Sequence, residues 1–191
     1  MKKLLLIAAT ATLGAASPAL VSSAFAADAT GTVNVSGTVS AKCADTGTSP
    51  VSIDLGELAN SSGTVVSTFA GVTHANLTFA CTSAKPTVTV AATPLKGPAS
   101  PPPGYTNLVQ YRATATAYLA AGGTNSVNPV VSTSGSALTT GTPVVLSSQL
   151  ANAANNVQVD IDQPSSNGSL LVASAAGGYT GAVTVTVSPT N

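Results

Sequence analysis

Charged side chains are scarce in this 191-residue chain: six Lys or Arg and six Asp or Glu, 6% of the residues, with one histidine. Beyond the N-terminal segment the cations are Lys42, Lys85, Lys96 and Arg112. Against them stand six carboxylates, Asp28, Asp45, Asp54, Glu57, Asp160 and Asp162, for a net charge of −2. Four scattered cations cannot build the basic face that nucleic acid or anionic lipid requires. Tryptophan is absent and there are only four tyrosines, which argues against a platform for stacking sugar rings.

Catalytic equipment is equally thin. His74 has no free cysteine nucleophile beside it in sequence, and no serine lies in a Gly-x-Ser-x-Gly elbow. The glycines are isolated or paired without a following lysine, so no phosphate-cradling loop is present. Asp160 and Asp162 share one face of a strand-like run; with loop carbonyls they would suit calcium, and without them they are a solvated strand face. The residues give no catalytic, cofactor-binding or metal site, and the expectation is a non-enzyme without a cofactor.

What is present begins with an address. Lys2 and Lys3 precede an apolar run, Leu4 to Leu13, too short to span a bilayer. Pro18 breaks it, and Ala24-Phe25-Ala26 offers small residues around a cleavage point. The order is that of a secretory signal peptide over 1–26, the alternative being a membrane anchor. No later segment reads as a membrane-spanning helix. Two cysteines remain, Cys43 and Cys81. In an exported chain an even count reads as one disulfide, worth roughly 4 kcal/mol on the chain-entropy model. Two free buried thiols, or a metal site shared with His74, are the alternatives.

The remaining chain is rich in Thr, Ser, Ala, Val and Gly, and its hydrophobicity repeats every second residue. Low charge without low hydrophobicity is not the composition of a disordered chain. Strands are expected at Thr32–Ser40, Val51–Leu55, Asn76–Cys81, Pro86–Ala92, Tyr111–Leu119, Pro143–Ser147, Val157–Ile161, Ser169–Ala173 and Tyr179–Ser188. Gly97-Pro98, Asn128-Pro129 and Asn167-Gly168 punctuate them. Leu119–Ala121 and Leu150–Ala154 have room for a turn or two of helix. Many short strands at this spacing predict an all-β sandwich of two sheets with Greek-key connections.

One arrangement is more specific. An alternating segment precedes Thr38-Val39-Ser40-Ala41-Lys42-Cys43; Ser52-Ile53-Asp54-Leu55-Gly56 follows; Leu77-Thr78-Phe79-Ala80-Cys81 carries the second cysteine; Gly178-Tyr179 announces a final alternating strand. In this order and spacing the chain resembles subunits of chaperone–usher pili, most closely the spore coat protein U-type domain of archaic pili. The resemblance implies an incomplete, pilin-type immunoglobulin-like β-sandwich over 41–191, lacking its last strand. It implies an apolar groove beside the final strand, with Tyr179, Val183, Val185 and Val187 on the groove edge. It implies a donor segment over 27–40, in which Val33, Val35 and Val39 are plugs and Gly37 marks a shallow point. Its implied partners are a periplasmic chaperone, an outer-membrane usher and neighbouring subunits, with transit through the periplasm to a fimbrium that serves adhesion or biofilm formation. The sequence departs from the family at Thr180-Gly181, where an acidic residue is usual, and in lacking a C-terminal aromatic. The alternative from another class is a self-complemented, secreted sandwich that binds a glycan or a surface.

Overall fold

The computed structural model describes residues 33–133, 138–173 and 178–190, so the expected signal peptide and the first part of the donor segment lie outside the described residues. The chain divides into two compact units, Met1–Gly37 and Thr38–Asn191, three residues before the domain boundary expected from sequence. Fourteen strands and no helix occur among the described residues. In chain order they are β1 (Cys43–Asp45), β2 (His74–Leu77), β3 (Phe79–Cys81), β4 (Thr87–Ala92), β5 (Leu95–Lys96), β6 (Tyr105–Thr106) and β7 (Leu108–Tyr118). Then follow β8 (Thr124–Ser126), β9 (Val130–Val131), β10 (Thr139–Thr140), β11 (Val144–Val145), β12 (Val157–Ser165), β13 (Leu170–Leu171) and β14 (Val183–Ser188).

The fold is an all-β sandwich. In one sheet β4 is central, with β14 along one edge and β10 and β11 along the other. In the second sheet β12 lies between β2 and β7, and β5, β8 and β9 pair with the far edge of β7. Alternation explains the core. Val109, Tyr111, Ala113, Ala115 and Ala117 of β7 are buried, as are Val157, Val159 and Ile161 of β12 and Val88, Val90 and Ala92 of β4. Thr114 and Thr116 of β7 and Thr87 and Thr89 of β4, on the opposite faces, keep partial access to water. β-Branched residues suit such pleated, half-buried surfaces.

The run expected as one strand over Asn76–Cys81 is divided at Thr78. β2 pairs with β12, whereas β3 turns away to pair with β1. Asn156 makes the division possible. Its buried side chain accepts the Phe79 N–H (2.9 Å) and donates to the carbonyls of Phe79 (2.6 Å) and Ala151 (2.8 Å), standing in for a missing ladder. Cys43 and Cys81 face each other across β1 and β3 and form a disulfide, with Cα atoms 4.2 Å apart.

Other expectations need correction. Residues 33–40 and 51–55 form no strand. Their alternation is nevertheless expressed in part, because Ile53 is half-buried and Leu55 buried while Ser52 and Asp54 face water. The expected helical turns are absent: Leu119 and Leu150 bridge each other, with Ala120 N–H donating to Gln149 C=O and Ala151 N–H to Tyr118 C=O.

Candidate functional site

The open side of the sandwich is set by β14. Ala182 C=O accepts the N–H of Thr93 at 2.9 Å, which turns its backbone towards β4. Backbone direction alternates along an antiparallel strand, so Thr184, Thr186 and Ser188 also face β4. Val183, Val185 and Val187 therefore point their N–H and C=O groups the other way, and among the described residues no strand pairs with that edge. Their side chains turn inward but stay half-buried, unlike Val88 and Val90 opposite them on β4.

Beside this edge lies a cleft of about 600 Å³. One wall is residues 179–185, the other is Ser49–Ile53 with Leu55, and Leu77, Phe79, Tyr111, Val159 and Ile161 form an apolar floor. Tyr111 reaches from β7 across the sandwich and donates its hydroxyl to Ala182 C=O at 3.1 Å. Burial pushes its pKa up to about 12. The cleft thus combines unpaired backbone groups with an apolar bed, the two things an added β-strand uses.

Of the expected groove-edge residues, Tyr179, Val183 and Val185 line this cleft, and Val187 lies further along the same edge of β14. Tyr179 precedes β14 and has a different part. Its hydroxyl donates to Val172 C=O (2.8 Å), close also to Thr106 C=O (3.4 Å), and its ring covers Gly97, where a Cβ would come within 2.9 Å. Burial raises its pKa and the Val172 hydrogen bond opposes the rise. It ties down the approach to the last strand rather than forming part of it.

Val33, Val35 and Val39 are 86%, 91% and 85% exposed. A Cβ on Gly37 would meet nothing within 4 Å, so the chain's own conformation does not require glycine there. Thr82 holds the residues that follow: its Oγ1 accepts the Lys42 N–H (2.9 Å) and donates to Ser40 C=O (3.0 Å).

The candidate ion site is otherwise employed. Arg112 binds Asp162 through both Nε and Nη2, and Asp160 accepts from Gln158 Nε2 at 2.9 Å. His74 is the cross-strand partner of Asp160 on an exposed position. No group of three His, Cys, Asp or Glu stands close enough to share a metal among the described residues. No helix among them is long and apolar enough to cross a membrane.

Sequence reasoning missed Tyr111 and Asn156. Tyr111 carried a signal, as an aromatic on the apolar face of the longest alternating run, but nothing local told which strand its hydroxyl would reach. Comparison of the chain with protein-family models, curated proteins and solved structures finds no match.

Proposed function

We propose that this chain is a structural subunit of a surface pilus, assembled by the chaperone–usher route through donor-strand exchange and serving adhesion or biofilm formation. The observation that carries this reading is the unpaired outer edge of β14 beside an open apolar cleft. The segment Val33–Val39 would supply the complement: exposed valines at alternate positions in a stretch that forms no strand. Strand addition would satisfy the backbone groups of Val183, Val185 and Val187 and bury the donor valines. Each valine contributes about 1.5–3 kcal/mol before ordering costs. An open edge of this kind also invites aggregation, which is the physical reason for a chaperone in transit.

Strand-exchanged polymers resist SDS until boiled. Unboiled surface extracts are expected to show a ladder of the subunit, and deletion of residues 27–39 to remove it while leaving a chain that still binds the chaperone. A single monomer band from the intact chain would contradict the reading.

A further inference from the structure

We propose that the loop between β5 and β6, together with Tyr105, is a docking ligand for a partner protein that takes proline-rich segments in an aromatic-lined groove. This goes beyond the strand-exchange reading and does not depend on it, since no residue from 97 to 105 lines the cleft beside β14.

Composition sets the shape of the loop. It reads Gly97-Pro98-Ala99-Ser100-Pro101-Pro102-Pro103-Gly104-Tyr105. A proline fixes its own φ, and the residue before a proline is pushed out of the helical region. Ser100, Pro101 and Pro102 each precede a proline, so 100–103 is restricted to about one turn of polyproline II. A turn then reverses the chain: Tyr105 N–H donates to Pro102 C=O at 3.0 Å, with Pro103 and Gly104 (φ 83°) at its centre, the residues a type II turn favours. The loop is held from beneath. Asn107 C=O accepts the Gly97 N–H (2.8 Å), and Asn107 Nδ2 donates to the carbonyls of Gly97 (3.3 Å) and Ala99 (2.8 Å). Gly104 C=O accepts the Leu170 N–H at 3.3 Å, and Tyr105 pairs with Leu170 of β13.

Above these anchors the loop faces water. Pro101, Pro102, Pro103 and Gly104 are exposed, and Tyr105 is 44% exposed. Among the described residues nothing donates to the carbonyls of Ser100, Pro101 and Pro103. Two recognition spacings overlap here, Pro98-x-x-Pro101 and Pro102-Pro103-x-Tyr105. Both suit grooves in which aromatic rings clasp proline rings. The second is the spacing that WW domains take, with a separate pocket for the tyrosine. Prolines on a backbone already fixed have little entropy to lose, so docking a rigid, exposed run costs little ordering. This chain does not supply such a groove. It has no tryptophan, Phe69, Phe79 and Tyr111 are buried, and the Tyr179 ring covers Gly97. Tyr118 is the one other exposed aromatic among the described residues, so the occupant is a different protein.

The test titrates the full exported chain into an isotope-labelled WW domain that selects Pro-Pro-x-Tyr, and reads NMR shifts at the domain's aromatic groove. The wild-type chain should shift the groove resonances. Pro102→Ala/Pro103→Ala and, separately, Tyr105→Ala should each weaken binding about tenfold or more, whereas Tyr118→Ala, on a different strand, should leave it unchanged. No groove shifts at millimolar chain, or binding that survives both loop variants, would overturn the proposal. A synthetic peptide of residues 97–105 tests whether the fold presents the loop. It should bind about fivefold more weakly than the chain, and Asn107→Ala should move the chain's affinity towards the peptide's. A peptide that binds as tightly as the chain, or more tightly, would overturn the proposal. Should Asn107→Ala fail to accumulate, the comparison of peptide with wild-type chain decides alone.

Discussion

The hydroxyl of Tyr111 lies 3.1 Å from the carbonyl oxygen of Ala182, joining the middle of one sheet to the residue before the last strand of the other. The carbonyl already accepts from Thr93 N–H, so Tyr111 adds a second donor rather than rescuing an orphan. Its effect is to hold the start of β14 against the core while the outer edge of that strand stays open.

Replacing Tyr111 with Phe should therefore cost only about 1 kcal/mol, read as a lower urea midpoint. The pH dependence is more telling. Tyr111 binds its proton more tightly folded than unfolded, so its contribution is fully present below pH 10 and is lost as pH rises towards about 12. Tyr111→Phe should flatten the alkaline fall in stability, leaving a smaller slope of the same sign from Tyr179, whose pKa is also raised.

Asn156→Ala should destabilise much more, by about 3 kcal/mol, because the buried Phe79 N–H and the carbonyls of Phe79 and Ala151 lose their partner together. Thermal unfolding measures it. Asn156→Asp should also be costly, because it cannot supply the two amide donors.

Removing the Cys43–Cys81 disulfide as a Cys43→Ser/Cys81→Ser pair should cost roughly 4 kcal/mol in chemical denaturation. Loss of β1 from β3 should accompany it, seen as faster amide exchange at Ala80 and Thr82.

Val185→Asp places a carboxylate in the apolar cleft at a half-buried position. The isolated domain should lose only about 1–2 kcal/mol, because the side chain keeps some access to water. Strand uptake buries the charge, so the polymer ladder should vanish. Thr186→Asp, on the exposed face of the same strand, should leave the ladder intact.

The long strands β4, β7, β12 and β14 were legible because each carries an alternating run, one face of which meets the core. Residues 33–40 and 51–55 alternate as clearly yet form no strand. Alternation reports which side chains suit an apolar surface; it does not report whether a neighbour is present to accept hydrogen bonds. Both segments belong to the open side of the reading proposed here, one as donor and one as wall. The two- and three-residue strands β5, β6, β8, β9 and β10 escaped notice because so few residues cannot display a period. The inward alternation of Val183, Val185 and Val187 along β14 was readable. Tyr111 on the floor and Thr82 at the root were not, since their roles depend on partners 71 and at least 40 residues away in sequence.

Amide exchange on a chain beginning at Ala41, with and without a synthetic peptide of residues 30–40, tests the central claim most directly. In the free domain the amides of Thr184 and Thr186, which face β4, should exchange slowly, and those of Val183, Val185 and Val187 quickly. Peptide should slow the three valine amides at least about tenfold, as expected for newly paired strand amides. Valine amides that are already slow without peptide, or that stay fast at saturating peptide, would contradict the account.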